Sequence, residues 1–329
     1  MTNFRFQTRK MVTMVACLVV TVMFSSCKDR ENKIFDLNGT VTISPTVDVF
    51  TGTELTAAYS GSETVTWQWN KDGAAISGAT AAKYTPTEAG SYTATASAPG
   101  FNSKTSAAVE VKTAIYLLET IQVGTELRVY EYDSQNRIAK ISYGNTSNED
   151  INQVHTYYYN LAGDLVEMKV ELTHNPEGNY STTFSKSGNK ITATTESDGY
   201  NEYIEFELNA QGLPEKVKVE GEEDGDEFSY TRICTWQNGN LTKIVHNDGY
   251  TSEALFTYDD KKSPFYYCQT PKWYLMWWHH GFESENNIKT QTWVGGTLFT
   301  YDYTYLNEEG FPVTQTWSSS TTTYTYMKK

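Results

Sequence analysis

Tyr157-Tyr158-Tyr159-Asn160-Leu161-Ala162-Gly163-Asp164-Leu165-Val166-Glu167-Met168-Lys169-Val170-Glu171-Leu172 is the stretch from which the fold follows. An aromatic-rich run reaches a polar turn and returns as a second run. In the return, Val166, Met168, Val170 and Leu172 fall on one side and Glu167, Lys169 and Glu171 on the other. A period of two places alternate side chains on opposite faces of a β-strand, and one greasy face with one wet face marks an antiparallel sheet covered on one side. Gly163 stands where a tight turn needs φ > 0.

The same unit recurs from about Tyr116 onward. It appears in Tyr130-Glu131-Tyr132-Asp133-Ser134-Gln135-Asn136-Arg137-Ile138, in Phe206-Glu207-Leu208-Asn209-Ala210-Gln211-Gly212-Leu213, in Thr235-Trp236-Gln237-Asn238-Gly239-Asn240-Leu241 and in Tyr303-Thr304-Tyr305-Leu306-Asn307-Glu308-Glu309-Gly310-Phe311. Asn136, Gly163, Gly188, Gly212, Gly239, Lys261, Asn287 and Gly310, taken as turn markers, lie about 25 residues apart on average. Val217 and Val219 alternate with Lys216, Lys218 and Glu220 in the same way. No amphipathic helix is available to cover the apolar face. Open twisted sheets seldom stay flat beyond roughly 10 strands, so a sheet of up to ~16 must curl upon itself. Propeller blades of about 40–45 residues do not fit this spacing. Residues 113–329 are therefore expected to form a large antiparallel meander of about eight hairpins, rolled into an open barrel-like sheet. Lysines such as Lys169 and Lys216 would cost about 2–4 kcal/mol each if they faced lipid near the midplane, so membrane insertion of this sheet is not expected.

Residues 37–112 read as a smaller all-β unit. Val41-Thr42-Ile43, Glu54 to Tyr59, Val65 to Trp69, Ser91 to Ala96 and Val109-Glu110-Val111 alternate with turn signals such as Lys71-Asp72-Gly73. Trp69, four residues before Gly73, resembles the strand-C tryptophan of immunoglobulin-like domains. Thr87-Glu88-Ala89-Gly90-Ser91-Tyr92 resembles the tyrosine corner of the same domains. Ala94 stands where antibody-type domains carry a cysteine, so this Ig-like β-sandwich is expected to hold together without an inter-sheet disulfide, on Trp67, Trp69 and small alanines.

Arg5, Arg9 and Lys10 precede an uncharged, mostly apolar run from Met11 to Phe24, of signal-peptide rather than membrane-spanning length. The run ends in Phe24-Ser25-Ser26-Cys27, which resembles a lipobox. Residues 1–26 read as a lipoprotein signal peptide, Cys27 as the lipidated residue and 27–36 as a tether. Lys28, Asp29, Arg30 and Glu31 resemble the surface-export signal of Bacteroidetes lipoproteins. The chain carries a net charge of −14, and loss of the leader's three cations takes it to −17. Such a charge disfavours nucleic acid and anionic lipid surfaces as partners, leaving the N-terminal lipid as the one membrane contact.

The Tyr-x-Tyr-Asp pattern resembles YD repeats. More specifically, the recurring hairpins, the block Tyr258-Asp259-Asp260-Lys261-Lys262-Ser263-Pro264-Phe265 and the run Asn286-Asn287-Ile288-Lys289-Thr290 resemble a Bacteroidetes lipoprotein family of unknown function with a porin-like fold. Ser263 stands where that family usually has asparagine. The resemblance spans about 215 residues. It implies a rolled sheet and supplies no activity; the outer-membrane, outward-facing location is what the lipobox and the export signal at Lys28–Glu31 imply.

The two family motifs bracket Pro271-Lys272-Trp273-Tyr274-Leu275-Met276-Trp277-Trp278-His279-His280-Gly281-Phe282, which holds three of the eight tryptophans. Indole rings suit stacking against sugars or anchoring a partner, so Trp273, Tyr274, Trp277 and Trp278 are the candidate ligand-binding residues; the competing reading is a plug for the mouth of the sheet. Cys234 and Cys268 are expected either to form a disulfide or to remain as two buried thiols. Adjacent His279 and His280 have no third ligand at a telling spacing, and Glu222-Glu223-Asp224-Gly225-Asp226-Glu227 lacks the ligand order of a calcium loop and reads as a solvated hairpin tip. No metal or cofactor is expected. Nucleophile elbows, zincin motifs and phosphate-binding loops are missing from the sequence. The expected function is a non-catalytic, lipid-anchored surface binding protein, with an extracellular glycan as the leading ligand. The alternatives are a structural or interaction subunit of an outer-membrane uptake or adhesion complex, and an envelope glycoside hydrolase, whose two carboxylates sequence cannot exclude.

Overall fold

The computed structural model describes residues 34–147, 150–278, 283–306 and 310–329. The leader, Cys27 and the export signal, along with His279 and His280, lie outside the described residues. Strands dominate throughout. Contacts divide the chain into two units: one comprises the residues up to Thr46, Glu54–Thr85 and Gly90–Glu110, and the other Val47–Thr53, Pro86–Ala89 and Val111–Lys329.

In the first unit, Leu55–Tyr59 pairs with Val41–Ser44 and Lys83–Tyr84 in one small sheet, and Gly90–Ser97 pairs with Thr66–Lys71 and Val109–Val111 in another. Trp69 is fully buried, and its indole N–H donates to the Ala81 carbonyl at 2.9 Å. Its ring stacks on Tyr84 of the other sheet with centroids 5.7 Å apart. Trp67 is half-buried and packs with Leu37, Val41 and Ala96.

The second unit is one antiparallel barrel. Among the described residues seventeen strands run in sequence order from Tyr116–Val123 to Ser320–Lys328, so the expected meander rolls up into a barrel-like sheet, and its first and last strands pair antiparallel. An all-antiparallel closed sheet needs an even number of strands. The count resolves because Leu298–Thr300 and Asp302–Leu306 are one strand interrupted at Tyr301, whose N–H donates to the Lys289 carbonyl at 3.0 Å and continues the ladder. That makes sixteen strands, or eight hairpins, among the described residues. Asn136, Gly163, Gly188, Gly212, Gly239 and Gly310 all have positive φ, as the repeat requires. Lys261 and Asn287 are the exceptions: both lie within strands, Thr251–Lys262 and Asn286–Trp293, and the residues between them are an insertion in a single hairpin.

A recurrent local device explains the repeat. The residue after the aromatic, or after Leu208 in its place, folds the turn: Asp133 Oδ1 accepts the N–H groups of Gln135 and Arg137, Asn160 Oδ1 that of Asp164, and Asn209 Oδ1 those of Gln211 and Leu213. The return strand then begins with a register shift, as between Tyr132↔Ile138 and Glu131↔Lys140 or between Tyr258↔Ile288 and Thr257↔Thr290. A bulge leaves ladder groups unpaired. An aromatic donor from the next repeat fills the gap: Tyr132 to Leu118, Tyr159 to Ile138, Trp236 to Pro214, Tyr258 to Leu241, Tyr303 to Ile288 and Tyr326 to Pro312, each to the backbone carbonyl at 2.6–2.9 Å. Where Leu208 takes the aromatic position, the neighbouring turn between Ser187 and Lys190 has no register shift to satisfy.

The apolar parity faces inward. Ile138, Ile141, Met168, Phe206, Val217 and Val219 belong to one buried cluster. The opposite parity carries Lys190–Glu205, Lys140–Glu131 and Lys243–Glu253 pairs at 2.7 Å, all partly exposed on the outside. The outer face thus carries charged pairs, where a lipid-facing belt is apolar.

Candidate functional site

The described parts of the insertion, 263–278 and 283–285, meet the end of the barrel that holds the Asn136 and Gly212 turns: the Gln269 N–H donates to the Asn136 carbonyl at 2.9 Å, and Pro271, Lys272 and Trp273 line one hollow with Gly212. The neck of the insertion is closed by the fully buried Ser263, whose hydroxyl donates to the Ser284 carbonyl at 2.6 Å and whose N–H donates to the Glu285 carbonyl. Serine thus does structural work at the place where the resembled family has asparagine. Asp259 accepts from the Asn287 backbone and side-chain amides, and Asn286 exchanges hydrogen bonds with Asn240, so the bracketing motifs are staples for the insertion. On the far side, Thr270 Oγ1 accepts the Ile138 N–H at 2.8 Å.

The insertion carries the helix Lys272–Trp278, started by Pro271, whose carbonyl accepts from Tyr274 and Leu275. Tyr274 is fully enclosed; its hydroxyl donates to that of Tyr157 at 2.9 Å, and its ring meets Tyr157 edge-on at 5.4 Å. Trp273 is buried against Phe184 and Phe206, both at 5.3 Å. Neither ring can stack on a ligand: burial makes these two of the four sequence candidates part of a plug. Trp277 and Trp278 are half-buried. Trp278 stacks on Tyr274 at 4.8 Å, and Trp277 lies face-on to Tyr230 at 6.3 Å.

Cys234 and Cys268 are both free and buried. The Cys234 Sγ faces Met276 Sδ at 3.8 Å, and burial pushes its thiol up to about 12. Burial also raises the Cys268 thiol, partly offset by hydrogen bonds from Thr270. The disulfide alternative is therefore not what this structure contains. No group of three or more potential metal ligands occurs among the described residues.

Beside the plug the barrel is hollow. A cavity of about 560 Å³ runs from Pro264 and Glu283 at the plug to Ser252 and Trp293 near the other rim. Thr290-Gln291-Thr292-Trp293 and Thr314-Gln315-Thr316-Trp317 are two copies of one tetrapeptide, and both turn threonine outward and glutamine inward. Gln315 is locked: its amide donates to Tyr303 Oη at 2.8 Å and its carbonyl oxygen accepts from Tyr324 at 3.0 Å. Burial raises the pKa of Tyr303 and Tyr324, keeping both phenols neutral donors. Gln291 accepts from Tyr301 at 3.2 Å, while Asn287 Oδ1 has no hydrogen-bond partner among the described residues. At the rim Trp293 is 40% exposed, and Trp317, 42% exposed, packs edge-on to Phe299 at 5.6 Å. The array offers flat aromatic surface at the mouth and amide and phenol groups deeper in. Sequence reading passed over these residues, although the duplicated Thr-Gln-Thr-Trp, with its glutamine on the inward parity, was a visible signal.

No protein-family model matches the chain, and no curated protein matches it significantly. Among solved structures, a porin-like protein from Bacteroides uniformis is 17% identical with a TM-score of 0.33, covering 64% of this chain and 96% of its own. A porin-like protein from Bacteroides vulgatus is 11% identical with a TM-score of 0.34, covering 65% and 99%.

Proposed function

We propose that this chain is a lipid-anchored protein of the cell surface that binds a saccharide in the barrel cavity and does not transform it. The observation that carries this reading is the cavity itself. Its volume of about 560 Å³ lies within the roughly 300–1,000 Å³ typical of small-ligand pockets, and its lining combines Trp293, Tyr301 and Tyr303 with the amides of Gln291 and Asn287. Aromatic faces stack on the apolar faces of sugar rings, and amides and phenols match their hydroxyls. The charged outer face supports a barrel that stands in water, with Phe24-Ser25-Ser26-Cys27 supplying the anchor.

A glycan-array screen tests the binding, run beside a Trp293→Ala, Trp317→Ala variant. Specific binding lost in the variant is expected. Binding that survives it, or that is lost only on changing Trp277 and Trp278, overturns the cavity assignment. The anchor is tested separately by labelled fatty-acid incorporation, which should vanish in Cys27→Ser.

A further inference from the structure

Arg232 lines the cavity from the strand Asp226–Gln237. Its guanidinium lies over the Trp277 ring at 4.7 Å and near the Tyr230 ring at 5.3 Å. Its Nε donates to His246 Nδ1 at 3.4 Å. Among the described residues no carboxylate lies within ion-pair distance of it and no acceptor meets its Nη groups; its charge acts at longer range on the half-buried Glu202, whose carboxyl burial raises and Arg232 partly lowers. Arg137, in a hairpin turn, behaves differently: it is ion-paired with Asp133 at 2.6 Å. Glu283, the carboxylate in the cavity lining, has interactions of its own.

A guanidinium held on aromatic faces keeps its planar fork of N–H donors available in the ring plane, the geometry that takes an oxyanion by two parallel hydrogen bonds. Leaving such a fork unpaired beside a cavity is costly, and the cost is recovered when an anion enters. We infer that the cavity takes an acidic saccharide, one bearing a carboxylate or sulfate that pairs with Arg232 while its rings contact Trp293 and Tyr301. This rests on the saccharide reading above and assigns the charge of the ligand. It also gives Trp277 a role: the indole supports the arginine.

The experiment is calorimetric titration of the chain, purified from the envelope in mild detergent, with three probes: a galacturonate disaccharide, its neutral galactose counterpart, and that neutral disaccharide carrying one sulfate. The expected result is that at least one acidic probe binds about tenfold or more tighter than the neutral one, with a preference that shrinks as salt is added. The two acidic arms tell uronate from sulfate. Arg232→Gln should abolish the preference while leaving neutral binding in place, and Arg232→Lys should keep part of it, which guards against a variant that merely misfolds. Equal affinity for acidic and neutral probes overturns the inference and leaves the saccharide reading standing. So does a preference that survives Arg232→Gln, or a loss of neutral binding equal to that of acidic binding in both variants. Failure of all three probes to bind overturns both.

Discussion

The Tyr159 hydroxyl donates to the backbone carbonyl of Ile138 at 2.9 Å, across the boundary between two hairpins and at the point where the register of the earlier one shifts. The Tyr159 ring also lies under the Arg137 guanidinium at 4.0 Å. Turn, bulge and next repeat are thus tied through one side chain. Tyr159→Phe should keep the ring contacts and orphan the carbonyl, lowering stability by about 1–3 kcal/mol. Urea unfolding measures it; an unchanged midpoint would show that water replaces the hydroxyl without loss.

His155 predicts a pH dependence. It is 8% exposed, beside Tyr143 at 4.6 Å, and burial first, then the charge of Arg128, lowers its pKa from 6.5 to about 4. The neutral ring is favoured in the folded state, so its contribution is complete above pH 6.5 and is lost as pH falls towards 4. Over that window about 3 kcal/mol should disappear. His155→Gln should flatten this limb of the stability–pH curve, and a limb of the same steepness in the variant would assign it to other groups.

The two thiols predict an absence of redox sensitivity. With Cys234 and Cys268 free, buried and raised in pKa, a thiol reagent should label neither at pH 8 until the chain is unfolded, and a reductant should leave the melting temperature unchanged. A downward shift on reduction would reveal a disulfide.

The plug predicts a large single-site effect. Tyr274 fills the space between Tyr157 and Phe184, so Tyr274→Ala should cost about 3–5 kcal/mol and leave the Tyr157 hydroxyl without its donor. Trp278→Ala, at a half-buried edge, should cost less. Equal costs in thermal unfolding would mean that the helix does not pack as a wedge.

The repeating hairpin was legible residue by residue, because a period of two and a turn signal are local properties. Val217 and Val219 had to face one way and Lys216 and Lys218 the other, whatever the rest of the chain did. The turn residues Asn136 and Gly163 were equally plain, since positive φ restricts the choice of side chain. Lys261 and Asn287 misled because they sit at the two edges of an insertion, where a spacing of about 25 residues is met without a turn. The tryptophan helix drew attention as a binding surface through its composition, and composition does not say which side of a sheet a segment lies on.

Sequence by itself determined the strands, their wet and greasy faces, and the necessity of curling, all consequences of alternation within single hairpins. Only the tertiary structure decided that the roll closes through Tyr116–Val123 and Ser320–Lys328, that Trp273 and Tyr274 fill one part of the interior, and that Gln291, Trp293 and Arg232 line the hollow beside it. Closure joins residues some two hundred positions apart, and whether an inward side chain meets a plug or a cavity depends on where one inserted loop comes to rest. Neither is a property of any local stretch of chain.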